Sequence, residues 1–271
     1  MIDLSEVAGH VLDGPEFHLP AFLGGHYHLP KVLGIQVTRY MALEAVAGVG
    51  MLVVFLLMAR RVSGGKTVRG RFWNLIEVML LFLRDQVARP AIGRHDADRF
   101  LPLIWNMFFF VLFCNLLGML PWAGSPTGSL AVTAAMAVIT LGTVVGAGMV
   151  KFGPVGFWTS LVPHMDLPKA MAILLLPMLL IIEIAGLFIR HGVLAVRLLA
   201  NMFAGHMVLA VIVGFIAAAA QAAIALWLTV TIASVLGAAM LSLLELFVAF
   251  LQAYIFAFLS ALFIGMAVHP H

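Results

Sequence analysis

A chain of 271 residues with 63% hydrophobic and only 10% charged residues lies far outside the range of soluble globular domains, about a quarter of whose residues are charged. With a mean hydropathy of +1.12, the composition predicts a polytopic membrane protein. The net charge of +3 does not describe a basic face for nucleic acid, because nine of the fifteen Lys and Arg fall within residues 60–99, the pattern of a cytoplasmic loop beside apolar spans.

Residues 1–36 begin with the acidic "MIDLSEVAGHVLDGPEF", which has neither a basic start nor a short apolar core and so does not read as a cleavable signal. They are expected outside the membrane. The first span, 37–59, ends on Arg60 and Arg61, which by the positive-inside rule places the N-terminus outside and residues 60–99 in the cytoplasm. Within that segment "RFWNLIEVMLLFLRDQVAR" (71–89) reads as an amphipathic helix along the cytoplasmic surface, followed by a charged hinge, "RHDADRF". Residues 100–150 form a helical hairpin around "PWAGSPTG", and the prolines of the connector 151–168 argue against a continuous helix there. Cys114, the one cysteine, is expected to be a small core or lipid-facing residue.

Residues 169–268 hold two apolar runs too long to stand upright. The first, to about residue 215, is ~70 Å of helix against a hydrocarbon core of ~30 Å. Only Gly186 and Gly192 interrupt residues 183–204, so one long tilted helix is expected, turning near 218–221 into an antiparallel partner. The predicted architecture is thus all-α: about five crossing helices, one amphipathic surface helix, a tilted antiparallel C-terminal pair and, after five crossings, a cytoplasmic C-terminus.

Embedded in that pair are Glu183, Arg190, His191, Arg197, Asn201, His206, Glu245 and Gln252. A charge at membrane depth is costly and marks function by default. With an antiparallel register set by the turn, Arg197 falls level with Gln252, and His206 with Glu245. Glu183 precedes Arg197 by ~21 Å and ~40° on the helix, whereas His206 is ~180° away from Arg197. The pattern describes two offset aqueous half-paths separated by a fixed positive charge. His206 and Glu245 can pass protons; a guanidinium cannot, and it attracts a carboxylate that this chain does not supply at that depth. Another subunit is expected to supply it.

Other polar residues have plainer readings. His10, His18, His26, His28, His269 and His271 read as solvated ends without metal-ligand spacing, Arg39 and Glu44 as outer-interface residues, and Arg190 as a snorkelling side chain. "LGTVVGAGM" reads as a helix-packing face. There is no H-E-x-x-H, no G-x-S-x-G and no internal repeat, which disfavours a membrane hydrolase and an inverted-repeat transporter.

"AVRLLANMFAGH", "ELFVAFLQAYIFAFLSALF", "DADRFLPLIWNMFFFVLFCNLLGMLP" and "SPTGSLAVTAA" resemble the subunit a family of F-type rotary ATP synthases over nearly the whole chain. The resemblance implies a proton-channel stator subunit of the bacterial inner membrane. Its expected partners are the subunit c ring, the subunit b peripheral stalk, other ATP synthase subunits, the lipid bilayer and protons. ATP chemistry is expected on other subunits, with no cofactor, no metal and no catalytic residue here. By the same resemblance Arg197 faces the ring as a barrier, with Gln252 and Asn201 near it. His206, Glu245 and Asn115 line the outer half-channel, and Glu183 lines the cytoplasmic one. Two positions depart from the family's usual pattern: His191 stands where many members have proline, which lets it join the cytoplasmic half-channel, and Ser129 stands where many have asparagine.

Overall fold

The computed structural model describes residues 14, 16–18, 26–32, 35–63, 70–120, 124–161 and 169–269. The acidic "EVAGHVLD" stretch, His10 and His271 lie outside them. Before the first span, where no regular element was expected, β1 (Glu16–His18) pairs antiparallel with β2 (His26–His28), and β3 (Lys31–Val32) with β4 (Ile35–Gln36). The described elements that follow are all helical. The elements are α1 (Arg39–Ser63), α2 (Arg71–Phe82), a π-helical stretch (Leu83–Ala88), α3 (Arg89–Ile92), α4 (Ala97–Gly118), a 3-10 turn (Pro126–Gly128), α5 (Leu130–Phe152), α6 (Pro154–Ser160), α7 (Lys169–Ala218) and α8 (Ile224–Val268). Among the described residues five segments are long and apolar enough to cross a membrane, within α1, α4, α5, α7 and α8, as expected of a multi-pass membrane protein.

Both C-terminal helices are unbroken, 50 and 45 residues long. At 1.5 Å per residue α7 is ~75 Å, more than twice the hydrocarbon thickness. The chain reverses through bonds from Ala219 N–H to the Phe215 carbonyl (3.0 Å) and from Ala222 N–H to the Ala219 carbonyl (2.9 Å), close to the expected turn.

The chain divides into two compact units. One comprises Met1–Leu56, Phe110–Val132 and Arg197–Ala253. In it α1 buries Tyr40, Leu43 and Ala47, a three-four spacing that puts one helical stripe inward, and exposes Val46, Val49, Leu52 and Val53. Val111, Leu112 and Cys114 of α4, Leu198 and Met202 of α7, and Ala249 and Ala253 of α8 complete its buried set. Cys114 is therefore a core residue. Gly118 is needed where α4 ends, since a β-carbon there would overlap Ser125. Arg39, expected at the outer interface, is only 3% exposed, its guanidinium 5.2 Å from the Tyr40 ring centre and covered by the turn at Gly124 (φ 72°).

The other unit comprises Leu57–Phe109, Thr133–Val196 and Tyr254–His271. Its surface segment is less uniform than one amphipathic helix over 71–89. Pro90 has no N–H to offer, and its ring crowds the carbonyl of Gln86; the backbone widens into the π stretch just before it, and Arg89 N–H reaches back to the Arg84 carbonyl. Leu83, Val87, Ala88 and Ile92 are buried, while Phe72, Leu75 and Val78 leave an apolar face outward. Trp105 of α4 donates a 3.1 Å hydrogen bond to the Leu80 carbonyl. In the connector Gly153 (φ 80°) ends α5 and Pro154 starts the short α6, whose Phe157 ring covers Gly148. A helical turn thus forms where prolines excluded only a continuous one. Gly265 of α8 lies directly against the Ala91 carbonyl.

Candidate functional site

In the first unit α7 and α8 run side by side after the turn, and their polar residues meet in pairs. The pairing expected of His206 and Glu245 is present: His206 Nδ1 lies 3.7 Å from Glu245 Oε1, and the glutamate is 5% exposed. Gly205 makes this possible, because a β-carbon there would stand 2.9 Å from that oxygen. Glu245 Oε1 and His206 Nε2 are buried without a hydrogen bond among the described residues. Leaving such groups unengaged costs about 1–3 kcal/mol each, so packing alone does not explain two titratable groups facing each other at this depth.

The second expected pair differs by one turn. Gln252 Oε1 accepts a 2.9 Å bond from Asn201, not from Arg197. Gln252 is 2% exposed, whereas Arg197 is exposed and, among the described residues, has neither ion-pair nor hydrogen-bond partner. Leu194, Ala195, Leu198 and Met202 form the buried stripe of α7, which turns Arg197 outward by helical phase.

Asn115 of α4 sits at the centre of a polar chain. Its amide donates to the Ala249 carbonyl of α8 (3.3 Å), its carbonyl accepts from Thr127 (2.7 Å), and Ser125 meets Thr127 at 2.7 Å. All three side chains are at most 1% exposed. Ser125 and Thr127 were passed over in the sequence, where "SPTG" reads only as a helix-breaking turn.

In the second unit Glu183 pairs with Arg190 at 3.1 Å, so Arg190 is an ion-pair partner and not merely a snorkelling side chain. His191, expected as a candidate for the same path, turns the other way. It is 2% exposed, its Nδ1 lies 2.8 Å from the Leu187 carbonyl, and its ring packs 4.9 Å from Phe263. His269, expected as a solvated end, is exposed and also reaches Asp96 at 3.3 Å.

Residues 41–265 match the family described as ATP synthase A chain. ATP synthase subunit a of Myxococcus xanthus (strain DK1622) is 35% identical over 277 residues, covering 97% of this chain and 88% of the relative. The chain belongs to the ATP synthase subunit a family. ATP synthase subunit a of Chloroherpeton thalassium (strain ATCC 35110 / GB-78) is 37% identical over 268 residues, covering 96% of this chain and 75% of the relative. The matched residues include the polar residues from Asn115 to Gln252, and so cover portions of both units.

Proposed function

We propose that the chain is the proton-translocating stator subunit of an F-type ATP synthase in the bacterial inner membrane, with its N-terminus outside and its C-terminus in the cytoplasm. It works against a ring of subunit c, is held by the subunit b stalk and carries no ATP chemistry of its own. A proton enters from outside past Glu245 and His206, in a path lined by Asn115, and neutralises a ring carboxylate. The ring carries it through almost a full rotation. Near Arg197 the carboxyl ionises again, since a guanidinium favours the charged acid and cannot itself relay the proton, and the proton leaves past Glu183. His191, buried against Phe263, stands outside this path.

The observation that carries the reading is Arg197: a cation on the exposed side of a helix that is apolar over 44 residues, without a partner among the described residues. Such a charge is stable at membrane depth only if something outside the chain answers it. ATP-driven proton pumping by the whole enzyme in vesicles tests it. Arg197→Ala should abolish pumping while ATP hydrolysis by the detached catalytic sector persists; pumping at near the unmodified rate would overturn the assignment.

A further inference from the structure

We infer that the second unit carries a binding site for an anionic phospholipid, in the groove where the start of α4 meets the end of α5. The cavity has a volume of about 450 Å³, within the range of small-ligand sites. Its floor is one face of α5, Thr143, Gly146, Ala147 and Val150, which share a stripe by their three-four spacing. Because Gly146 and Ala147 are small, that stripe is a trough. Phe100 and Val268 flank it.

The mouth has a different chemistry. Arg99, Lys151 and Asp96 supply it, and the Asp96 carboxylate is already engaged by Lys151 at 3.1 Å and His269 at 3.3 Å. The Arg99 side chain is exposed and has no partner among the described residues. Two cations against one carboxylate leave a positive rim above an apolar trough, on helices that are apolar along their length. A phosphodiester on a diacyl tail satisfies both parts, with the phosphate on Arg99 and Lys151 and an acyl chain along α5. A soluble phosphate would gain nothing from the trough, and a zwitterionic lipid would bring its own cation to the rim. This assignment does not depend on the proton path.

Native mass spectrometry of the purified full-length chain, with dioleoyl phosphatidylglycerol or dioleoyl phosphatidylcholine added at equal concentration, tests it. Phosphatidylglycerol should be retained with a preference of roughly fivefold or more, the scale expected from one basic residue near a lipid phosphate. Arg99→Gln should remove most of that preference, and Arg60→Gln, outside the groove, should not. Gly146→Leu starts from a β-carbon position with nothing within 4 Å, projects into the trough, and should lower retention of both lipids. Equal retention of the two lipids by the unmodified chain, equal losses from Arg60→Gln and Arg99→Gln, or unchanged retention by Gly146→Leu would each overturn the site.

Discussion

Asn201 donates a 2.9 Å hydrogen bond to Gln252, tying α7 to α8 one helical turn beyond Arg197. The glutamine is therefore anchored in the helix interface while the arginine, four residues earlier, faces outward. Gln252 stays close enough in height that a long side chain placed there can reach toward the level of Arg197.

Exchanging the two residues uses that proximity. Arg197→Gln alone is expected to lose all coupled pumping. Arg197→Gln with Gln252→Arg is expected to recover a small fraction, because the charge returns near the same depth but from the buried side, and Coulomb energy changes steeply with distance in a dry site. Pumping and passive-leak assays on both variants check this; a double variant that leaks as freely as the single one and never pumps would refute the exchange.

Gly205→Ala places a β-carbon 2.9 Å from Glu245 Oε1. The carboxylate end swings aside more easily than backbone, so stability should fall by less than ~1 kcal/mol while the contact with His206 opens and proton flux through the outer path drops severalfold. Unfolding in detergent and vesicle flux, measured on the same preparation, separate the two effects.

Gly265→Ala should behave in the opposite way. Its β-carbon would run into the Ala91 carbonyl and come within 3.4 Å of the Ile92 Cα, backbone that cannot rotate aside. A loss of about 1–3 kcal/mol in stability is expected, read as a lowered unfolding midpoint. An unchanged midpoint would show that α8 and α3 separate at no cost.

Asp96, just before α4, has its carboxyl held below the ordinary range, chiefly by the hydrogen bond from Lys151 and next by His95. A carboxyl that titrates lower when folded than when unfolded adds stability at neutral pH, and that contribution is lost as pH falls below about 4 and through the folded value. Asp96→Asn should thus be less stable than the unmodified chain at pH 7, with the gap closing in acid. A gap that widens on acidification would contradict the pairing.

Topology is testable with single cysteines. Lys31 and Val62 are both exposed, and the native Cys114 is 0% exposed and should stay silent. Lys31→Cys and Val62→Cys should react with an impermeant thiol reagent from opposite sides of the membrane. Reaction of both from one side would show that α1 does not cross, and reaction of Val62→Cys from outside would reverse the positive-inside reading of residues 60–99.

By itself the sequence determined what depends on composition and length along one helix. Five apolar stretches, two of them far longer than the bilayer is thick, demand spanning helices whatever packs against them. Arg197, Asn201, His206, Glu245 and Gln252 stand out because ionisable and amide groups are expensive at that depth. Counting back from a turn also brings His206 level with Glu245. Tertiary structure alone decided which way each residue points and which neighbour it meets. One residue of register shifts a side chain by 1.5 Å and rotates it by 100°, so index arithmetic fixes height only to within about a turn and leaves the facing neighbour open. That is why Gln252 meets Asn201 and not Arg197, and why His191 packs on Phe263 while its neighbour Arg190 pairs with Glu183. The bonds from Ser125 through Thr127 and Asn115 to Ala249 join a loop to two helices far apart in the chain. No periodicity encodes such a chain, because it exists only once packing has brought those backbones together.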